Sequence, residues 1–344
     1  MQEASFYSKI KEHSVQCFLC AHYCRIGPNE RGKCGVRENR HGQLWSLVYG
    51  RPIARHVDPV EKKPLYHFQP GSLSYSIGTV GCNFDCLFCQ NADIAHGPKE
   101  RKKIEGFAVS PEEIVDEALR TECSSISYTY TEPTIFLEYA LEVSRKAHGA
   151  GLKNIFVTNG YISPEALRQS AAFIDAANVD LKSFSEEFYA GQCSASLQPV
   201  LTTMRSMLGK GIWVEVTTLL IPGLNDGTVE LKGIADFLVR LDPGIPWHIS
   251  SFQPTSRVMD RPSTPLQSLY TARDIGMNAG LRNVYISSVP GGIARNTYCH
   301  NCGEMLIERT GQHSRRAGLK DGRCRKCGAV VDGVDLFQES PSMA

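Results

Sequence analysis

Three cysteines near residue 85 have the spacing that an iron–sulfur cluster requires. Cys82, Cys86 and Cys89 stand in the pattern Cys-x-x-x-Cys-x-x-Cys, and Gly81 precedes the first of them. A glycine-led loop lets three thiolates converge on three irons of a [4Fe-4S] cubane, which leaves the fourth iron without a protein ligand. An open iron is what a substrate-activating cluster needs, whereas an electron-transfer cluster normally takes four cysteines. The same spacing also fits three buried structural cysteines on one helix face.

The residues around the triplet extend this pattern into a family resemblance. With Phe88 before the last cysteine, the motif Cys-x-x-x-Cys-x-Phe-Cys resembles the signature of the radical S-adenosylmethionine (SAM) superfamily. The order of motifs is similar to that of pyruvate formate-lyase activating enzymes. Over roughly residues 15–310 the chain resembles the radical SAM enzymes of the AmmeMemoRadiSam system. The blocks that carry this closer resemblance are residues 17–24, 32–39, 61–68, 78–84, 128–133 and 296–303.

The resemblance implies a specific chemistry. SAM would chelate the open iron through its amino and carboxylate groups, and reduction of the cluster would cleave SAM to a 5′-deoxyadenosyl radical. This radical would abstract hydrogen from an unidentified substrate, and the likeness to activating enzymes suggests a protein. The resemblance also implies a low-potential electron donor of the flavodoxin or ferredoxin type. Memo-like and AMMECR-like partner proteins are implied by the family name alone.

The elements that must position the triplet alternate between strands and helices. Strands are predicted at residues 74–80, 125–130, 154–157, 173–179, 213–219, 247–252 and 283–286. Helices are predicted at residues 111–120, 133–148, 164–170, 201–209, 229–241 and 266–278. This alternation predicts an α/β fold with a parallel sheet, and chemistry gathers in the loops that follow such strands. We therefore expect a partial (β/α)6-type, TIM-like barrel over residues 71–290, with Cys-rich appendages at 1–70 and 291–344.

Three residues in the loops after the strands are candidates for binding SAM. Glu132 falls where activating enzymes carry two glycines and a glutamate that contacts the SAM amino group, although Tyr130 and Thr131 replace the glycines here. Glu132 could instead open a helix, where an acid stabilises the N-terminal dipole. Asp180 and Lys182 match the Asp-x-Lys that reaches the SAM ribose or carboxylate region, and the alternative is an exposed salt bridge.

The remaining cofactor candidates are also carried over from the resemblance. Asn159 could bind SAM or could serve only as a turn residue, because Asn-Gly is a strong turn dipeptide. His248 matches a histidine near SAM late in the barrel, whereas a lone histidine in a strand is more often a satisfied core residue. The positions Phe88, Gln90 and Thr131 are assigned to the cofactor as well.

Two further groups of four cysteines predict metal sites. The C-terminal group forms two Cys-x-x-Cys-Gly knuckles, which favour a zinc ribbon and also fit a rubredoxin-like iron site: Cys299, Cys302, Cys324 and Cys327. The N-terminal group is too dense for chance, and zinc and a second iron–sulfur cluster compete for it: Cys17, Cys20, Cys24 and Cys34. Cys123 and Cys193 are interpreted as ordinary buried cysteines.

Composition narrows the classes of function. The 37 basic residues nearly balance the 36 acidic ones, so no global field attracts nucleic acid. The chain has no apolar stretch long enough to span a membrane, and thirteen cysteines without a signal peptide favour cluster binding in the cytoplasm. The alternatives are an iron–sulfur and zinc electron-transfer or adaptor module, and a radical SAM enzyme that modifies RNA or protein.

Overall fold

The structure is a computed structural model that describes residues 1–255, 257–286, 293–311 and 313–336. Its helices are α1 (Ala92–Glu100), α2 (Pro111–Arg120), α3 (Leu137–Gly149), α4 (Pro164–Ser170), α5 (Glu186–Phe188), α6 (Leu197–Gly209), α7 (Thr228–Leu241) and α8 (Leu266–Ala279). Short 3₁₀ turns lie at Val60–Lys62, Pro133–Phe136, Ala171–Phe173 and Ile293–Arg295, and a π-helical turn lies at Tyr189–Cys193. Within these described ranges, no helix has the length and apolar character that crossing a membrane requires.

The strands fall into one large sheet and several small ones. The N-terminal strands are β1 (Gln2–Glu3), β2 (Tyr7–Lys9), β3 (Val15–Cys17), β4 (Arg25–Ile26), β5 (Arg37–Arg40) and β6 (Gln43–Ser46). The central strands are β7 (Ala54–Pro59), β8 (Leu73–Gly78), β9 (Ser125–Tyr128), β10 (Lys153–Thr158), β11 (Ala176–Asp180), β12 (Trp213–Leu220), β13 (Trp247–Ser251) and β14 (Val284–Ile286). The C-terminal strands are β15 (Thr297–Tyr298), β16 (Met305–Thr310), β17 (His313–Arg316), β18 (Leu319–Lys320) and β19 (Arg323–Cys324).

The central sheet has the order in which its strands occur in the chain. Strands β8 to β14 run parallel to one another, each pairing with the next, and β7 adds to β8 in antiparallel orientation. Among the described residues, β7 and β14 each pair on one side only, so the sheet does not close. Six helical crossovers connect the seven parallel strands, which confirms the predicted partial (β/α)6-type barrel.

The strands are buried on both faces, as a parallel sheet covered by helices requires. All four residues of β9 and nearly all of β8 and β12 are buried. Successive parallel strands place their carboxyl ends at one edge of the sheet, so the loops that follow them share one rim. This rim is where the fold can assemble a site from distant parts of the sequence.

The appendages are small antiparallel units. The N-terminal segment forms two three-stranded sheets, with the orders β1-β6-β5 and β2-β3-β4. The C-terminal segment forms a three-stranded sheet of β15, β16 and β17 and a hairpin of β18 and β19. Residues 54–59, for which no strand is predicted, lie in the segment 1–70 but form β7 of the central sheet. The predicted boundary at residue 290 falls in 287–292, outside the described residues.

Candidate functional site

The cysteine triplet lies in a loop, residues 81–90, between β8 and α1. Because this loop is not helical, the alternative of three structural cysteines on one helix face is wrong. Gly81 has φ +98°, a conformation that other residues rarely adopt. A Cβ there would lie 2.5 Å from Cγ1 of Val36 and 3.0 Å from the carbonyl oxygen of Cys34. The start of the cysteine loop therefore packs tightly against the N-terminal segment.

The three cysteines line one cavity of about 500 Å³ at the carboxyl ends of the parallel strands. The loops after β8, β9, β10 and β11 all contribute to its wall, as the strand–helix alternation predicts. Of the eight residues predicted to bind the cofactor, seven line this cavity: Phe88, Gln90, Thr131, Glu132, Asn159, Asp180 and Lys182. The fold thus brings together nearly the whole predicted constellation.

The π-helical turn Tyr189–Cys193 is hydrogen-bonded to the cysteine loop. The amide of Asp85 donates to the carbonyl oxygen of Cys193 at 3.0 Å, and the amide of Leu87 donates to that of Gln192 at the same distance. A hydrogen bond with Cys193 and burial raise the pKa of the Cys86 thiol well above its usual value. Cys193 is fully buried, and it is not one of the residues that line the cavity. Such π-helical turns occur frequently at functional sites.

Glu132 is a buried carboxylate held by four donors. Its Oε1 accepts from the amide and hydroxyl of Thr134, at 3.0 and 2.6 Å, and from the hydroxyl of Thr158 at 2.8 Å. Its Oε2 accepts from the amide of Asn159 at 2.8 Å. Burial raises the pKa of Glu132, although these donors oppose the shift. The alternative that Glu132 opens a helix is confirmed, because it caps the turn Pro133–Phe136, and the same side chain lines the cavity.

The backbone before Glu132 keeps the conformation that a glycine favours. Tyr130 has φ +68°, in the left-handed region that costs a non-glycine residue roughly 1–2 kcal/mol. Its carbonyl oxygen accepts from Nδ2 of Asn91 at 2.7 Å, which ties this loop to the end of the cysteine loop. Tyr130 therefore lines the cavity from a turn whose backbone conformation a glycine adopts more readily.

Asn159 connects the loop after β10 to the cysteine loop. Its Nδ2 donates to Oδ1 of Asn83 at 2.8 Å and lies 3.9 Å from Sγ of Cys82. Its Oδ1 accepts from the amide of Tyr161 at 3.1 Å, and Gly160 has φ +71°, so the turn interpretation is confirmed. Asn159 nevertheless lines the cavity, and its contact with a cofactor stays a prediction.

Asp180 and Lys182 form a salt bridge that faces the cavity. Nζ of Lys182 lies 3.0 Å from Oδ2 of Asp180 and 5.9 Å from the ring centre of Phe88. The side chains of Lys182 and Asp180 are 15% and 37% exposed, so the salt bridge is partly exposed, and a contact of the pair with SAM stays a prediction. Burial lowers the pKa of Lys182, but Asp180 and the thiols of Cys86 and Cys193 raise it more, to well above its usual value. The cavity therefore holds a permanent cation beside the cysteines.

His248 lies behind the cavity wall. Its side chain is fully buried, and its Nε2 lies 2.7 Å from Oε2 of Glu215. Its ring packs edge-on against Tyr66, which does line the cavity. His248 thus has the surroundings of a core residue. Its buried Nδ1, however, has no hydrogen-bond partner in the part of the chain that the structure describes. A cofactor role for His248 stays a prediction.

Several cavity residues have no signal in the sequence that could have identified them individually. They are Glu61, Lys62, Tyr66, Thr217, Ser250, Ser251 and Arg295. Tyr66 lies in a block that carried the family resemblance, but its spacing predicts no ligand. Arg295 reaches the site because its Nε donates to the Tyr66 hydroxyl at 3.3 Å, a contact between residues 229 positions apart. The cavity wall therefore combines residues 59–66 of the N-terminal segment with Arg295.

The four C-terminal cysteines form a compact group. Their sulfur atoms all lie within 4.8 Å of one another. In each knuckle the glycine has positive φ, +72° at Gly303 and +75° at Gly328, and its amide donates at 2.9 Å to the first cysteine's carbonyl oxygen. Four thiols at this spacing suit a tetrahedral metal ion, and zinc and iron both fit.

The four N-terminal cysteines line a second, much smaller cavity of about 20 Å³. His22 and Arg37 also line it. All four cysteines thus face one cavity, and the predicted metal or second cluster stays a prediction.

The sequence of this chain is similar to a known protein family and to two archaeal proteins. The sequence pattern of the radical SAM superfamily matches residues 76–233. An uncharacterized protein of Methanocaldococcus jannaschii is 43% identical over 338 residues, which cover 97% of this chain and 100% of that protein. A second protein of the same organism, whose name provisionally assigns it as a glycyl-radical enzyme activating enzyme, is 26% identical over 61% of this chain and 77% of its own length.

Among solved structures, a radical SAM methyltransferase from Sphaerobacter thermophilus is similar, with a TM-score of 0.49 and 16% identity. The similarity covers 69% of this chain and 71% of that chain.

Proposed function

The chain belongs to the radical SAM superfamily, and we propose that it is an activase-like oxidoreductase that uses SAM to generate a 5′-deoxyadenosyl radical. The observation that carries this proposal is the 500 Å³ cavity, which joins three cysteines to a carboxylate, an amide and a lysine–aspartate pair. Its volume lies in the range of pockets that enclose cofactors. The residues fit the group, because thiols supply iron ligands and the polar residues match a zwitterionic amino acid.

The cysteine loop would hold the cluster. Cys82, Cys86 and Cys89 would ligate three irons, and the open iron would face the cavity that these residues line. When bound, the cluster supplies the electron that cleaves SAM reductively. The protein's own work is to orient SAM and exclude water from the reacting atoms.

Glu132 is placed to orient the SAM amino group. Three of its four hydrogen bonds fall on Oε1, so Oε2, which accepts only from Asn159, retains acceptor capacity toward the cavity. A charge-assisted hydrogen bond from an ammonium to this oxygen would be short and strong. Because the four donors fix the carboxylate, little side-chain entropy remains to be lost when SAM binds.

Lys182 and Asp180 would bind the carboxylate and the ribose of SAM. The lysine cation can approach the SAM carboxylate, and the partly exposed Asp180 can accept from a ribose hydroxyl. Lys182 also lies close enough to Cys86 and Cys89 to offset the negative charge of a thiolate-ligated cluster. The pair therefore supports both the cofactor and the cluster.

The substrate proposal is coarser. The names of the activating-enzyme relatives favour a protein or peptide as hydrogen donor. The cavity wall offers charged and aromatic side chains suited to a polypeptide: Glu61, Lys62, Tyr66, Tyr130 and Arg295. We assign the chain to the AmmeMemoRadiSam system on its sequence blocks, with Memo-like and AMMECR-like proteins as partners and a flavodoxin or ferredoxin as electron donor.

The decisive experiment is a cleavage assay under anaerobic conditions. The protein is reconstituted with iron and sulfide, reduced with dithionite and incubated with SAM, and 5′-deoxyadenosine is measured by chromatography. We expect product from the native chain and none from Cys86→Ala, because that variant lacks one iron ligand. Cys123→Ser is the matched control, since the Cys123 thiol hydrogen-bonds Thr121 and does not line the cavity.

Cleavage without substrate can be slow, so the cluster's EPR spectrum supplies a second readout. SAM should change the spectrum of the reduced native protein, because it would occupy the open iron. A loaded, reducible cluster that shows neither product nor a spectral change with SAM would overturn the proposal and favour an electron-transfer module.

A further inference from the structure

The N-terminal cysteines enclose a cavity of the size of a single ion. They lie in one short segment between β3 and β5, where the Cys17 amide donates to the Cys24 carbonyl at 2.9 Å and the Tyr23 amide to that of Cys20 at 3.1 Å. All four line the same cavity of about 20 Å³. One water requires about 10–15 Å³. A [4Fe-4S] cubane with its sulfides exceeds such a space, whereas one metal ion does not.

The side chains around this cavity favour a mononuclear thiolate site. Leu19, Ile26 and Ile135 make part of the wall apolar, and four cysteines are a complete ligand set for structural zinc. The Arg37 side chain, 2% exposed, also lines the cavity, and it pairs with Glu138 at 2.8 Å.

The same segment contacts both loops of the cofactor cavity. Nε2 of His22 lies 2.8 Å from the carbonyl oxygen of Asn83, next to Cys82. The Ala21 amide donates to the carbonyl oxygen of Tyr161 at 3.0 Å, two residues after Asn159. The Ser163 amide donates in return to the carbonyl oxygen of Leu19 at 3.1 Å. Residues 19–22 thus bridge the loop after β8 and the loop after β10.

We propose that Cys17, Cys20, Cys24 and Cys34 bind one structural zinc ion, which holds residues 19–22 against the loops that carry Cys82 and Asn159. The zinc assignment stands by itself, whereas the consequence for the cluster rests on the proposed function. Zinc acts here through the loops, so the four cysteines are positioning residues.

The first test counts metals in the full chain by mass spectrometry. Cys302→Ser removes the C-terminal site and leaves the N-terminal cysteines untouched. We expect this variant to retain one zinc per chain, with four sulfur neighbours in its zinc X-ray absorption spectrum. Cys20→Ser should lose that ion, and Cys123→Ser should match the native count. Absence of zinc from Cys302→Ser, or iron and sulfide in excess of the one cluster proposed for Cys82, Cys86 and Cys89, would overturn the assignment, even if Cys20→Ser fails to fold.

The second test measures the positioning role by hydrogen exchange. Cys20→Ser should exchange faster than Cys123→Ser at residues 79–91 and 158–163, while the helices α7 and α8 remain unchanged. Its reduced cluster should also show a weaker spectral response to SAM. Unchanged exchange in both loops after zinc loss would contradict the positioning role. Failure of the native protein to bind SAM would instead contradict the proposed function, and it would leave the zinc count and the exchange result valid.

Discussion

At the scale of single residues, Glu132 illustrates how one side chain serves fold and site together. Its Oε1 caps the turn at Pro133, its Oε2 accepts from the Asn159 amide, and the residue lines the cavity. Sequence could identify Glu132 because it stands in a recognisable block next to Pro133. Tyr66 could not be found in this way, because its place in the cavity depends on contacts with residues such as Arg295 and His248 that are distant in the chain.

Glu132→Gln should weaken SAM binding without loss of the cluster. The amide retains an oxygen to accept from Thr134 but loses the charge that would attract an ammonium. A hydrogen bond to a charged group contributes roughly 1.5–3 kcal/mol, so the Kd for SAM should rise about 10- to 100-fold. An EPR titration of the reduced cluster with SAM measures this change. Glu117→Gln is the control, because Glu117 pairs with Arg120 on the surface. An unchanged Kd would contradict the assigned role.

Cys193 provides a separate test at the same scale. Its carbonyl oxygen accepts from the Asp85 amide of the cysteine loop and the residue does not line the cavity, so we expect it to support the loop without ligating iron. Cys193→Ser should therefore keep its iron content and yield of 5′-deoxyadenosine within about twofold of native, because serine retains a hydrogen-bonding group of similar size. Cys89→Ser, the contrasting variant, should lose the cluster. Iron loss in Cys193→Ser would instead indicate a four-cysteine cluster of the electron-transfer type.

At the scale of elements, local signals decided which helices the sequence could predict. The helix α2 begins at Pro111 as predicted, because Ser110 and Glu113 form a capping box. The helix α6 begins at Leu197 rather than at the predicted residue 201. Its first amides donate to the carboxylate of Glu186, 2.9 Å from the Leu197 amide, and a cap supplied from so far away leaves no local pattern.

The helix α1 was not predicted, because Gly97 and Pro98 lie inside it. A proline in a helix cannot donate to the carbonyl four residues earlier, here that of Ile94. The Gly81 amide donates to this oxygen instead, at 2.8 Å. The proline therefore frees an acceptor that fixes the start of the cysteine loop, a compensation that only the tertiary structure reveals.

Glu215 joins β12 to the adjoining strand and to the segment before β8. It accepts from the amides of Tyr66 and His67 at 2.9 and 2.8 Å, from Nε1 of Trp213 at 3.0 Å, and lies 2.7 Å from Nε2 of His248. Burial alone would raise its pKa, but His248 and these donors lower it below the usual value. The folded structure thus stabilises the ionised form of the Glu215 carboxylate.

Glu215→Gln should lower the melting temperature at neutral pH, because breaking a buried charged network costs about 3–5 kcal/mol. A lowered carboxyl pKa adds stability above the unfolded pKa of about 4.3, and this contribution is lost as pH falls through the folded pKa. The gap between native and variant Tm should therefore narrow below about pH 4. Calorimetry across pH measures it, with Glu117→Gln as the exposed control. A gap independent of pH would contradict the ionised state.

At the scale of the whole molecule, Arg309 connects the C-terminal sheet to the cavity. This buried residue of β16 donates from Nη2 to the carbonyl oxygen of Tyr66 at 2.6 Å, and its guanidinium lies 4.2 Å above the Tyr66 ring. Its Nη1 donates to the carbonyl oxygen of Arg295 at 2.9 Å. The C-terminal appendage thereby supports two residues of the cavity wall, Tyr66 and Arg295, although its cysteines do not line the cavity.

Arg309→Lys should make the cavity wall around Tyr66 and Arg295 more mobile, while the part of the cavity next to the cysteines stays intact. Lysine keeps the charge but lacks the planar fork that reaches Tyr66 and Arg295 together, so hydrogen exchange should accelerate at residues 64–68. The SAM-induced EPR change should persist, because Cys82 and Glu132 lie on other loops. Arg315→Lys, on the same hairpin but paired with Glu308 at the surface, is the matched control. If both variants exchange alike at residues 64–68, the C-terminal sheet does not support the cavity wall around Tyr66. If only Arg309→Lys differs from the native protein, the C-terminal appendage shapes the part of the cavity that would receive the substrate.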